Sequence, residues 1–178
     1  MAAAGAPAHE LPANRLTVVQ REPAHLQLSF HIDYLQALQR VLAPGSDVRA
    51  FALAHAALEA AQLAPLLQRA HAQLEAGTRL LLPGGQAVPA SGWRWPATAQ
   101  AQALLQQQVM RALVAPQDRA HEAPTEVRAE IALRLPLAAP PPPLQLQLPA
   151  VLQPVLVVSY RPSQTWSQPG AGAVLLRF

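Results

Sequence analysis

The chain contains no cysteine, and its thirteen basic residues are all arginine. Without thiols there is no thiol nucleophile, no thiolate zinc site and no disulfide, and the redox compartment stays open. No apolar run approaches the ~18 residues of a membrane-spanning helix, so direct membrane insertion is not expected. There is no Gly-x-Ser-x-Gly elbow, no phosphate-binding P-loop, no dinucleotide fingerprint and no His-Glu-x-x-His. Serines are few and the carboxylates scattered, so neither a nucleophile–base–acid set nor a glycosidase pair can be nominated. These absences point away from an enzyme.

The sequence pI near 10.5 suggests nucleic acid at first sight. The net charge is only +3, however, and the arginines run evenly from Arg15 to Arg177 without a cluster. Phosphate binding needs locally concentrated positive charge, because counterion release scales with the phosphates neutralised together. Nucleic acid is therefore not an expected partner. With 51% hydrophobic residues in 178, the chain can bury the core of one domain.

Periodicity divides the chain. Leu26, Leu28, Phe30 and Ile32 alternate with polar residues, the pattern of a half-buried strand. Leu16 to Gln20 is its expected hairpin partner, across a turn at Arg21 to Ala24. From Asp33 the period becomes helical, with Leu35, Leu38, Val41 and Leu42 on one face and a stop at Pro44-Gly45. Ser46 or Asp47 can cap a second helix. A third begins near Pro65 and ends at Gly77, and a fourth runs from about Ala97 to Val114 with Leu105, Val109, Ala112 and Leu113 inward. Pro83-Gly84-Gly85 reads as a hairpin turn. The last third is β-like: Val127 to Leu133 alternates, Pro140 to Pro143 breaks the chain, and Leu144 to Leu148 alternates again. Val155 to Tyr160 is a continuous apolar run, consistent with a central strand, and Val174 to Phe178 would close the fold. The expected fold is α+β: one domain over 9–178, an antiparallel β-sandwich with the immunoglobulin type among the options, and a helical insertion of about four helices over roughly 33–115.

The first residues read as the end of an export signal. Ala6-x-Ala8 has the small-residue pattern of a signal-peptidase site, which makes residues 1–8 a residual leader or disordered terminus and His9 the mature start. The protein would then be periplasmic or otherwise extracytoplasmic. A terminal His offers its amine and its imidazole to one ion, a donor set suited to copper. His31 and Asp33 lie on one face of a strand end and could add ligands, as could His121 in a Pro-flanked loop. The plainer account of His31 and Asp33 is an exposed polar face. His55 and Glu59, four apart on a helix, read as a surface pair, and His71 as peripheral packing. For protein contact the candidates are Trp93, Arg94 and Trp95, with one Trp inward and one outward, and Tyr160, Arg161 and Trp166. Trp, Tyr and Arg are enriched at interaction hot spots, although scarce aromatics also serve as core anchors.

Ala8-His9-Glu10-Leu11 with Asn14-Arg15-Leu16, then Trp93-x-Trp95-Pro96, then Tyr160-Arg161-Pro162 and Trp166, resembles a group of uncharacterised exported proteobacterial proteins. The His-Glu-Leu start is also similar to the exposed N-terminal portion of the hydrogenase/urease accessory membrane-protein family. That resemblance implies an extracytoplasmic domain beside a membrane protein, in a family linked to nickel or other metals. Of the motif residues only His9 maps onto a plausible ligand.

The sequence therefore leads to a non-enzymatic extracytoplasmic accessory or interaction domain, with no resident cofactor, acting beside a membrane or periplasmic partner. The alternative is a copper or nickel carrier using a processed terminal histidine. The leader reading predicts that the intact mass of the protein from its native cells is that of a chain starting at His9. Retention of Met1 would remove both the export argument and the terminal chelate.

Overall fold

The computed structural model describes residues 14–114, 124–133 and 144–162. The leader, His9, His121, the polyproline stretch, Trp166 and the Val174 to Phe178 strand lie outside them. The described chain is a mixed α+β fold with a five-stranded sheet, a three-stranded sheet and four α-helices.

The large sheet grows from the N-terminal hairpin, β1 (Asn14–Glu22) and β2 (His25–Ile32). Leu26, Leu28, Phe30 and Ile32 are all buried while His25, Gln27, Ser29 and His31 are only half-buried, as the period-2 pattern requires. Because a one-residue slip would turn the apolar set to solvent, this alternation holds the register of both neighbours. On one side Phe30 lies opposite Leu16 of β1. On the other, Phe30 and Leu28 face Val127 and Ala129 of β6 (Thr125–Ala132). β5 (Ser91–Arg94) pairs with β6, and β8 (Val155–Tyr160) pairs with β1, completing the order β5-β6-β2-β1-β8.

The small sheet, β4-β3-β7, comprises β3 (Arg79–Leu81), β4 (Ala87–Pro89) and β7 (Gln145–Gln147). The hairpin turn is at Pro83-Gly84-Gly85 as expected, with Gly84 and Gly85 at φ +92° and +84°, where a side chain would be strained.

Helix α1 (Tyr34–Leu42) is capped by Asp33, whose carboxylate accepts from the Gln36 N–H at 2.9 Å. Asp47 does the same for α2 (Val48–His55), accepting from Ala50 N–H at 2.7 Å. Helix α3 runs Ala60–Ala76, so Pro65 is inside it and does not start it. The start is set a turn earlier, where the Gln62 side chain accepts from the Glu59 N–H. Glu59 thus begins a new helix after α2 has ended, and His55 bonds its own helix through Phe51 O, so His55 and Glu59 are not a pair on one helix. Gly77 ends α3 at φ −80°, not left-handed. Its smallness matters for a different reason: a Cβ there would meet Pro149 Cγ at 2.8 Å. Helix α4 (Thr98–Val114) buries Ala101 and Leu105 but leaves Met110, Leu113 and Val114 exposed, which corrects the inward placement of Leu113.

Two further expectations change. β1 and β8 run parallel, so the large sheet is antiparallel only in part. Their connection is the whole intervening chain, which supplies the long crossover that parallel pairing needs. β8 also stands at the edge among the described residues, not in the centre. Its apolar run reports hydrophobicity but says nothing about the number of neighbouring strands.

One buried polar joint ties the first strand to α1 and to the turn before β8. Asn14, 5% exposed, donates to Leu152 O at 2.6 Å and accepts from Asp33 N–H at 2.9 Å. Leu152 lies in a short 3-10 turn, Ala150–Leu152, which Arg40 of α1 also holds through Val151 O at 2.7 Å. Asn14→Ala would take this partner from the part-buried Asp33 N–H and the buried Leu152 C=O, a loss of about 2 kcal/mol. Urea unfolding should show this as a lower midpoint with unchanged slope; an unchanged midpoint would mean the joint carries no stability.

Candidate interaction sites

The parallel register assigns the side chains of β8 to two faces. Leu156, Val158 and Tyr160 align with Arg15, Thr17 and Val19, on the side of the sheet away from the buried face of β2. They are 37%, 42% and 51% exposed, on a strand with no charged residue. The same side of β6, toward the opposite edge, carries Glu126, Arg128 and Glu130. There Arg128 donates to Glu126 at 2.9 Å, and this hydrogen bond holds the Glu126 carboxyl below the usual carboxylate range. The outer face therefore passes from charged at β6 to apolar at β8.

The inner side of β8 borders a groove between the two sheets, a cavity of about 380 Å³. Val18, Leu26, Leu28 and Ile131 come from the large sheet, and Leu80, Leu144 and Leu146 from the β3–β7 side. Gln20, Val157, Ser159, Tyr160 and Arg161 complete the described lining. Arg161 donates through Nε to Gln20 Oε1 at 2.5 Å, and the Gln20 amide is oriented in turn by donating to Pro23 O at 3.1 Å.

A second constellation lies around β5. Trp93 and Trp95 stack with ring centroids 5.2 Å apart and planes 7° from parallel. They do not divide inward and outward, because residues two apart in extended chain share a side. Phe30 continues the stack under Trp93 at 5.5 Å, and His71 of α3 stacks on Trp95 at 4.3 Å. Trp95 Nε1 donates to Glu75 at 2.7 Å. The Tyr34 hydroxyl lies 2.7 Å from His71 Nε2. Burial pushes the Tyr34 phenol up and lowers His71 to about 4. The phenol therefore keeps its proton and donates, and the neutral imidazole accepts at Nε2, which leaves the ring hydrogen on Nδ1. This run of rings ties α1, α3 and β5 to the core. Arg94 alone of the Trp-Arg-Trp triplet is exposed, opposite Arg128.

The structure thus separates the two groups expected to bind protein. Trp93, Arg94 and Trp95 belong to the β5 edge, whereas Tyr160 and Arg161 end β8, with β6, β2 and β1 between. Of the expected metal ligands, Asp33 caps α1 and His31 lies opposite Glu126. Among the described residues no group of three His, Asp or Glu side chains is placed to hold a metal ion. No described helix is long and apolar enough to cross a membrane. Sequence reasoning missed Gln20, which orients Arg161, and the Tyr34–His71–Glu75 partners of the tryptophans. These contacts join distant segments and leave no local signal. Asn14 had one: it is the sole asparagine in the chain. No protein-family model, curated protein or solved structure matches the chain.

His71 makes stability pH-dependent. The folded ring stays neutral down to about pH 4, whereas an unfolded histidine protonates near 6.5. Between these values the unfolded state binds more protons, so stability is full above the unfolded pKa and falls as pH drops. Relative to His71→Phe, the wild-type protein should lose an additional 1–2 kcal/mol or so between pH 7 and 4.5, allowing for the solvent the ring still sees. Urea unfolding at the two pH values, followed by tryptophan fluorescence, measures this. Equal pH dependence in both proteins would show that the ring is not held neutral.

Proposed function

We propose that this chain is a non-enzymatic interaction domain that works outside the cytoplasm beside a membrane or periplasmic protein, and that the partner docks on the outer side of β8. The supporting observation is the exposed apolar stripe Leu156, Val158 and Tyr160 on an uncharged strand. Long, exposed apolar edges are a liability that proteins usually blunt with charge, and β8, an edge strand among the described residues, carries none. An exposed apolar face of this kind suits an apolar patch of a partner. The resemblance to exported proteobacterial proteins belongs to the same reading, as does a sandwich architecture, which is supported by Leu80 and Leu146 facing Leu28 and Ile131 across the groove. Export itself rests on the Ala6-x-Ala8 pattern.

Site-specific photocrosslinking in the native cells tests this reading. A photoreactive residue at Val158 should crosslink one membrane or periplasmic protein, one at Arg128 should not, and Leu156→Glu should abolish the Val158 product. No position-specific product, or a cytoplasmic one, would overturn it. So would stoichiometric copper or nickel uptake lost in His9→Ala, the outcome that the carrier alternative requires.

A further inference from the structure

We infer that the cleft between α3 and the start of α4 binds a primary α-ammonium group with a carbonyl oxygen on the neighbouring carbon, as a free amino acid or a peptide amino terminus presents it. The cleft, of about 510 Å³, is walled by Leu67 and Ala72 of α3 and by Pro96 and Ala97 before α4. Its volume lies within the roughly 300–1,000 Å³ of small-molecule sites. His71 and Glu75 supply its titratable groups.

Two aromatic partners fix what these groups present. Tyr34 is 1% exposed, and its hydroxyl has one described partner, His71 Nε2 at 2.7 Å. The buried phenol proton needs an acceptor, so Nε2 carries the lone pair and Nδ1 the hydrogen. Nδ1 has no described hydrogen bond, yet no buried side-chain nitrogen or oxygen among the described residues lacks one. Nδ1–H is therefore open to solvent, on a residue that lines the cleft. The same reasoning holds for Glu75. Trp95 Nε1–H occupies Oε1 at 2.7 Å, which leaves Oε2 open. His71 and Glu75 stand one turn apart on α3, a spacing that puts Cβ atoms about 5–6 Å from one another. The cleft presents one donor and one anionic acceptor, each held from behind by an aromatic side chain.

Charge selects the ligand. No arginine is among the described lining, and Glu75 forms no ion pair with a described residue. A cation supplies the partner this carboxylate lacks, and a charge-assisted hydrogen bond is about twice as strong as a neutral one. A metal ion does not fit, because His71 ligates only through a bare nitrogen and Nδ1 carries its hydrogen. An anion is repelled by Glu75, and an ammonium alone leaves the His71 N–H without an acceptor. An α-ammonium beside a carbonyl oxygen satisfies both groups: the ammonium donates to Glu75 Oε2, and the oxygen accepts from His71 Nδ1–H. No residue of β8 is among the described lining, so the inference is independent of docking on that strand.

Alanine, trialanine and N-acetylalaninamide, each titrated at neutral pH into the full ¹⁵N-labelled chain, test the inference by NMR. Alanine or trialanine should shift the Trp95 indole N–H resonance saturably. N-acetylalaninamide, which keeps the carbonyl but has no ammonium, should bind about tenfold more weakly. Tighter binding of trialanine would identify a peptide amino terminus, and tighter binding of alanine a free amino acid. Glu75→Gln keeps an oxygen for the Trp95 N–H but removes the charge, and should weaken binding about tenfold. Ala72→Arg, at an exposed position of α3 one turn before Glu75, should set a competing guanidinium on the carboxylate and block the cleft without unfolding the domain. Equal binding of N-acetylalaninamide, binding that survives Ala72→Arg or folded Glu75→Gln undiminished, a shift confined to residues outside the cleft, or no binding of either ammonium ligand would each overturn the inference. None of these results bears on crosslinking at Val158, so the two proposals fail independently.

Discussion

The buried face of β2 is the constraint on which the rest of the molecule depends. Leu26, Leu28, Phe30 and Ile32 must all turn inward, and the period of two leaves them only one way to do so. With β2 so placed, β1 and β6 must pair in registers that turn Leu16 and Val127 to the same face as Phe30, and an odd slip of either strand would expose its apolar set. The groups packed on that face inherit the placement. The groove floor is the continuation of the same face at Leu26 and Leu28, and the aromatic stack begins at Phe30.

Polar groups then decide how the helical part meets the sheet. Asn14 links the first strand to the start of α1 and to the 3-10 turn before β8. Because all three segments share one buried amide, the position of β8 is coupled to that of α1. Arg40 strengthens the coupling from the helix side. A second fastening runs from Tyr34 through His71 to Trp95 and Glu75. Here the Tyr34 hydroxyl pairs with the His71 imidazole, and the Trp95 indole N–H donates to the Glu75 carboxylate, around one ring stack. Among the described residues no buried side-chain polar atom is left without a partner, which is the condition for such a network to stabilise.

The two sides of β8 have different neighbours. On the outer side Leu156 and Val158 are exposed, whereas on the inner side Val157 and Ser159 border the space between the sheets, with Arg161 beyond them. Parallel pairing with β1 makes this division, since it aligns Arg161 with Gln20 and sets Tyr160 beside Val19. A shift of one residue would exchange the faces and put the arginine on the partner side.

Much of the fold was legible in the sequence because it is encoded by local periodicity and capping. The N-terminal hairpin, the Asp47 cap, the Pro83-Gly84-Gly85 turn, the alternation of β6 and the presence of four helices all arise from residues near one another in the chain. The sequence by itself also determined which chemistries are absent, since no thiol or lysine exists to supply them. It could not determine that Val155 to Tyr160 pairs in parallel with β1 and stands at the edge among the described residues, or that Trp93 and Trp95 share a side with His71 while Tyr160 and Arg161 lie across the sheet from them. It also could not show the groove. An apolar run carries its hydrophobicity locally, but how many strands flank it, and which distant side chains meet it, depends on burial shared among segments more than a hundred residues apart, as Gln20 and Arg161 are. That sharing exists only once the sheets have closed on one another.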